Sequence, residues 1–196
     1  MIMNSTDLYR ELTDAAYDAP HWLRTLADIG TEGGILLLMA VAVLGWWRAR
    51  SGTAHRVALA VLVPIATAVA YVLSELVKSV VDEERPCRAV AGAAASIAAC
   101  PPEGDWSFPS NHSTIAAALA VGIAVAWRAA LWLALPVALL TGLSRVFIGV
   151  HYPHDVAVGL ALGAAVAALC AALLGRPVTG LVLRMRAGRW RVLVEA

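Results

Sequence analysis

The sequence predicts an all-α fold, a polytopic transmembrane helix bundle of about five spans preceded by an N-terminal interfacial segment. Three observations lead there. The 196 residues are 60% hydrophobic and 15% charged, with a mean hydropathy of +0.73, whereas soluble domains carry roughly 25% charged residues. The apolar residues, mostly Ala, Leu and Val, fall in blocks approaching the roughly 20 residues that cross about 30 Å of hydrocarbon. The remaining charges are sorted, with arginine on one set of connections and carboxylates on the other.

The chain opens on a polar, acidic stretch, "MIMNSTDLYRELTDAAYDAP". No basic run leads into an apolar one, so a cleaved secretory signal is not expected, and the first span serves as the insertion signal. Residues 1–32 are read as an extracytoplasmic N-terminal segment. Within it, Leu23 to Ile29 either extend the first span or form an interfacial helix anchored by Trp22, and the segment is placed outside the bilayer. Five apolar stretches follow, at Gly33 to Trp47, Val57 to Val81, Ser110 to Trp127, Ala129 to Val150 and His154 to Gly175, each long enough to be read as a helix. Residues 33–175 thus form the transmembrane domain, and 176–196 a basic cytoplasmic tail.

Orientation follows from the arginines. Arg48, Arg50 and Arg56 lie in one connection, Arg128 in another, and Arg176, Arg184, Arg186, Arg189 and Arg191 in the tail. Those sides are expected in the cytoplasm. The opposite connections hold Asp28 and Glu32, then Asp82, Glu83, Glu84, Glu103 and Asp105. An odd number of spans, with the N-terminus outside and the C-terminus inside, satisfies every loop. It also brings Trp46, Trp47, Trp127 and Trp132 to the inner interface as an aromatic belt. Cys87 and Cys100 share one outer loop, where an oxidising compartment permits a disulfide but two free thiols fit equally. Cys170 lies inside a span as a packing residue.

Three polar clusters meet the same outer interface. In "KSVVDEERP", Lys78 and Arg85 are about two helical turns apart and face one direction if the helix runs on to Pro86. Lys78 alone also fits an ion pair with Glu75 or a side chain reaching for the headgroups. In "WSFPSNHST", Ser110 is a candidate N-cap, which leaves the first-turn amides facing outward as an anion site. Read alone, Ser110 and Asn111 could as well be simple caps, with His112 at the headgroups. In "SRVFIGVHYPHD", Arg145 sits at a depth where a cation is costly unless paired or wet. Pro153 opens the last helix and Asp155 falls in its first turn, placed to hold one nitrogen of His151 and leave the other for a ligand. His154 is read as a bystander. Cations, a helix N-terminus, two histidines and a carboxylate on one face describe a phosphate site with chemistry attached.

These three stretches resemble the signature of the type 2 phosphatidate phosphatase superfamily of lipid phosphatases, KxxxxxxRP, PSGH and SRxxxxxHxxxD, in the same order and with the spacing of the first and third intact. The resemblance implies that Lys78, Arg85 and Arg145 bind phosphate oxygens, with Ser110 and the amides around Asn111 completing the cradle. It implies that His151 attacks phosphorus, Asp155 orients it, and His112 protonates the leaving group. Asn111 stands where the family pattern has Gly, and the familiar six spans are shortened to five. Both traits are similar to the bacitracin-resistance type of undecaprenyl-diphosphatase. The implied substrate is a membrane lipid phosphate, a polyprenyl diphosphate first and phosphatidylglycerophosphate, phosphatidate or a polyprenyl-phosphate sugar as alternatives. No metal, cofactor or nucleic-acid partner is expected. From a different class, a channel or transporter could use the same charges as a selectivity ring.

Overall fold

The structure, a computed structural model, describes residues 5–188 and 191–195; Arg189 of the basic tail lies outside them. Helix α1 (Ser5–Tyr17) is amphipathic and buries Tyr9, Thr13 and Ala16 against the rest of the molecule. After Pro20, α2 (His21–Ala49) runs unbroken for 29 residues, so Leu23 to Ile29 form the first turns of the first long helix and not a separate segment. Helix α3 (Ala54–Val81) starts on a Thr53 cap, whose side chain accepts the Arg56 amide. It ends on Asp82 in the left-handed conformation, with φ 49°.

That ending corrects an expectation. The helix does not continue to Pro86. Three carboxylates in succession, Asp82 to Glu84, oppose the negative end of a helix dipole, and the residue before a proline is pushed to extended backbone, as Arg85 is at ψ 139°. Pro86 instead opens the short α4 (Pro86–Ala89), and Arg85 reaches the site from the loop. A long connection, clipped by a Cys87–Cys100 disulfide, leads to α5 (Asn111–Ala126). A single 3-10 turn precedes α6 (Leu131–Phe147). Helix α7 (Pro153–Arg186) passes Gly175 and the internal Pro177 without a break, and α8 (Arg191–Val194) follows it.

The bundle is arranged for lipid. Among the described residues, four helices are long and apolar enough to cross a membrane, while α5 has 16 residues, about 24 Å at 1.5 Å per residue. Short as it is, α5 is the centre: α2, α3, α6 and α7 all pack on it, and Ala116, Ala118, Leu119 and Ile123 are buried there. Leucines turn outward, as on Leu140 and Leu173, because the solvent of these faces is hydrocarbon. Where α7 meets α5, a Cβ at Gly163 would lie 2.1 Å from the Thr114 carbonyl oxygen, so only glycine allows the backbones to approach this closely. The arginine-rich end closes separately. Arg186 donates to the Gly52 carbonyl at 2.9 Å, and the Arg48 guanidinium lies 5.1 Å over the Trp127 ring.

Candidate active site

The site lies at the end of the bundle where α5 and α7 begin. Ser110 is the N-cap of α5: its hydroxyl accepts the Ser113 amide at 3.4 Å and the Ser113 hydroxyl at 3.0 Å. Its own amide donates to the Asp155 carbonyl at 3.1 Å, which ties the two helix starts together. Asn111 is the first residue of α5 in ordinary helical backbone. The turn therefore does not need the left-handed freedom of the glycine it replaces. Its side chain is clamped to α3, donating to Glu75 at 2.6 Å and accepting from the Ser74 hydroxyl at 2.6 Å.

His151 ends a loop held from both sides. Gly149 takes φ +84°, and a Cβ there would come within 2.9 Å of Ser96. The Tyr9 hydroxyl donates to the Gly149 carbonyl at 2.9 Å. Burial, with the nearby Tyr152, pushes the Tyr9 phenol up to about 12, so it remains a donor. His151 is 1% exposed. Its Nδ1 lies 3.2 Å from Asp155 Oδ2, which also accepts the Tyr152 amide at 2.9 Å and the Ser107 hydroxyl. Its Nε2 faces Arg85 Nη1 at 3.1 Å. Burial pushes the imidazole down to about 4; the Asp155 hydrogen bond opposes this and the charges of Arg85 and Arg145 add to it. At neutral pH the ring is therefore uncharged. Nδ1–H donates to Asp155, and the lone pair sits on Nε2.

The cations converge. Arg85 donates to the Asp105 carbonyl at 2.8 Å, to Asp105 Oδ1 at 2.9 Å and to the Val150 carbonyl at 3.1 Å. Lys78 lies 3.4 Å from the same Asp105 Oδ1 and 3.7 Å from Glu75. Burial works against the Asp105 charge, but the hydrogen bond and charge of Arg85, then of Lys78, outweigh it and hold the carboxyl below its usual range. Arg145, in the last turn of α6, donates to the Thr31 hydroxyl at 3.2 Å, and its Nε is buried without a hydrogen-bond partner among the described residues. A buried guanidinium with a spare donor, in a membrane protein, fits an anion. His112 Nε2 lies 2.6 Å from Glu32 Oε1.

Every residue expected from the sequence is placed at this end of the bundle, and the linking groups are the ones the sequence did not single out. Asp105, Ser107, Thr31, Glu32 and Tyr9 sit on distant segments, and no spacing rule joins them to the histidines; Glu75, expected only as a partner of Lys78, also holds Asn111. His154 is more than a bystander. Its Nε2 lies 3.0 and 3.1 Å from the Glu83 oxygens and 3.2 Å from Asp155 Oδ1, and Ser5 holds its Nδ1 at 2.6 Å. Glu83, His154 and Asp155 each bring a ligand atom within 4.8 Å of the others, a metal-capable group that the sequence, with Glu83 far from the adjacent His154 and Asp155, does not reveal. A proton on His154 Nε2 serves the Glu83 carboxylate, while Asp155 Oδ1 is buried without a hydrogen-bond partner among the described residues.

Fold and site together define a polytopic helical membrane protein with buried cationic side chains gathered around an oriented, uncharged imidazole. Residues 57–178 match the PAP2 superfamily, and the chain belongs to that family. It is 44% identical over 105 residues to the decaprenylphosphoryl-5-phosphoribose phosphatase of Mycobacterium tuberculosis strain H37Rv, covering 52% of this chain and 53% of that protein. It is 35% identical over 100 residues to an undecaprenyl-diphosphatase of Sulfolobus acidocaldarius, covering 50% and 47%. The chain thus spans about half the length of each of these curated relatives. The crystal structure of a transmembrane PAP2 type phosphatidylglycerolphosphate phosphatase from Bacillus subtilis superposes with a TM-score of 0.61 over 96% of this chain and 90% of that one, at 21% identity. At that identity the likeness is one of fold.

Proposed function

We propose that the protein is a membrane phosphatase that removes the terminal phosphate of a polyprenyl-linked phosphate through a phosphohistidine intermediate. The observation that carries this is His151, uncharged, with Nδ1 held by Asp155 and Nε2 turned toward Arg85. Lys78, Arg85 and Arg145 take the nonbridging phosphate oxygens, and the first-turn amides of α5 add their dipole. The Nε2 lone pair attacks phosphorus, the bond from phosphorus to the leaving oxygen breaks, and His112 supplies that oxygen with a proton. Asp155 stabilises the charge that develops on the His151 ring. Water then attacks the phosphohistidine, gives a proton back to His112, releases phosphate and restores His151. The three cations neutralise the transferring group in the way a metal ion otherwise does, so turnover is expected to persist in chelator.

Brief mixing of labelled substrate with the purified protein should trap an acid-labile, base-stable phosphoprotein. His151→Ala should abolish it and lower turnover at least roughly 10³-fold. Turnover surviving His151→Ala would sink the proposal, whereas a transport role predicts substrate movement that survives His151→Ala.

The headgroup has two readings. A polyprenyl diphosphate is the first, expected from the sequence. A phosphorylated sugar on a polyprenyl phosphate is favoured by one feature of the site. Glu32 and Glu75, both substantially exposed, flank His112 and Asn111. Carboxylates accept hydrogen bonds from sugar hydroxyls and repel a second phosphate. Head-to-head turnover of the two lipids separates the readings.

A further inference from the structure

His112 has a partner from outside the family signature. Glu32 lies on α2, which precedes the residues matched by the family, 57–178. Its Oε1 nevertheless stands 2.6 Å from His112 Nε2. The approach is built into α2. Gly34 lets α2 press on α6, where a Cβ would fall 2.1 Å from the Thr141 hydroxyl oxygen. Thr31, 3% exposed, turns inward to accept from Arg145, and the next residue reaches His112. Adjacent side chains of one helix thus serve a phosphate-binding cation and the second histidine.

As an ordinary ion pair this contact would matter little, because Glu32 is 67% exposed and surface pairs contribute little to stability. Its consequence lies in the histidine. We propose that Glu32 is the positioning residue of the leaving-group acid: it accepts Nε2–H of His112, sets its carboxylate against the Arg145 and Arg85 guanidiniums that disfavour a charged ring, and leaves Nδ1–H to face the departing oxygen. This rests on the phosphatase reading above. It mirrors the pair on the other side of phosphorus, where Asp155 takes Nδ1–H of His151 and frees Nε2. When phosphorus leaves its oxygen, Nδ1 gives up its proton to that oxygen, and the ring stays bonded to Glu32 through Nε2–H. In the second step Nδ1 takes a proton from the attacking water, which restores the imidazolium.

A positioned acid matters in proportion to how badly the leaving group needs a proton. Nitrophenolate leaves unaided and an alkoxide does not. The test therefore compares p-nitrophenyl phosphate with decyl phosphate on the purified full-length protein, with thermal midpoints recorded for each variant. Glu32→Gln should lose about tenfold in kcat on decyl phosphate and less than about twofold on p-nitrophenyl phosphate. The alkaline limb of its rate profile should move to lower pH, since the imidazolium has lost its counter-charge. Glu32→Asp should recover part of the loss, and His112→Gln should show the same selectivity, more steeply. Equal losses on both substrates, or none on either, in Glu32→Gln would overturn the role of Glu32 while leaving the phosphatase reading in place. Loss of leaving-group selectivity in His112→Gln would overturn the assignment of His112 as the acid, and the proposal with it. If Glu32→Gln does not fold, Glu32→Asp carries the same comparison, and an unchanged pH profile and substrate ratio there would also defeat the proposal.

Discussion

Two side chains at the site, His151 and Asp105, each make a measurable claim. His151 is pushed down to about 4 by burial against the opposing pull of Asp155. In the proposed mechanism the neutral ring is the nucleophile, so activity is expected where the ring is neutral and should be lost as pH falls through that value. The acidic limb of kcat/KM is expected well below the ordinary histidine range of about 6.5. An acidic limb near 6.5 in the unaltered protein would show that the ring is not buried as described. Asp105 is the second. Its carboxylate meets both Lys78 and Arg85, the two groups assigned to phosphate, so it competes with an incoming anion for them. Asp105→Asn keeps a hydrogen-bond acceptor and removes the charge. It should tighten inhibition by vanadate up to about fivefold, in line with the strength of a partly exposed ion pair; unchanged or weaker inhibition would mean that Asp105 aligns the cations for substrate. The cations and histidines are legible in the sequence because a membrane rejects unneeded charge, so Lys78, Arg145 and His151 stand out against their apolar surroundings. Asp105, Ser107 and Glu32 are not, because acidic and small polar residues in outer loops and helix ends need no special explanation until the fold brings them to a histidine.

The helices matter as rulers that set where those side chains stand. His112 rides on the start of α5, and His151 with Asp155 on the start of α7. The depth of one helix against the other is fixed by Gly159 and Gly163, whose added Cβ atoms would lie 2.6 Å from the Ser110 carbonyl oxygen and 2.1 Å from that of Thr114. Gly163→Ala is therefore expected to destabilise the protein by about 1–3 kcal/mol through overpacking. Activity should fall further than that loss alone explains, because α7 must move away from the Ser110 amide that bonds Asp155. Gly180→Ala, with nothing within 4 Å, is the control and should hold or raise stability, as alanine is the better helix former. Thermal midpoint and turnover, measured on both variants, decide. Hydropathy makes the helix cores readable and their ends much less so. Polar residues such as Arg24 and Asp28 make the beginning of α2 resemble a surface segment, yet they belong to the turns that carry Thr31 and Glu32 to the site. Pro177 suggests a stop that the tertiary packing of α7 beyond it overrides, with Val182 buried against Val57 and Ala58.

At the scale of the whole molecule, the charge pattern and the site make one joint claim about direction. Helix ends bearing Arg48, Arg50 and Arg186 gather at the pole opposite His151, where Arg50 donates to the Glu195 carbonyl at 2.9 Å and Arg186 to that of Gly52. Carboxylates gather near the pole of His151, in Glu83, Glu84 and Asp105. Arginine-rich loops remain in the cytoplasm, so the cradle is expected to open on the extracytoplasmic face. The Cys87–Cys100 bridge belongs to the same pole, consistent with an oxidising compartment. With Cys170 replaced by Ala, a cysteine at the exposed Ala95 should react with an impermeant maleimide on intact cells, and one at the exposed Ser51 only after permeabilisation. The reverse pattern would put the site on the cytoplasmic leaflet. A polyprenyl headgroup released outside could not then be its substrate, whereas the chemistry of His151, which depends only on its immediate partners, would stand unchanged.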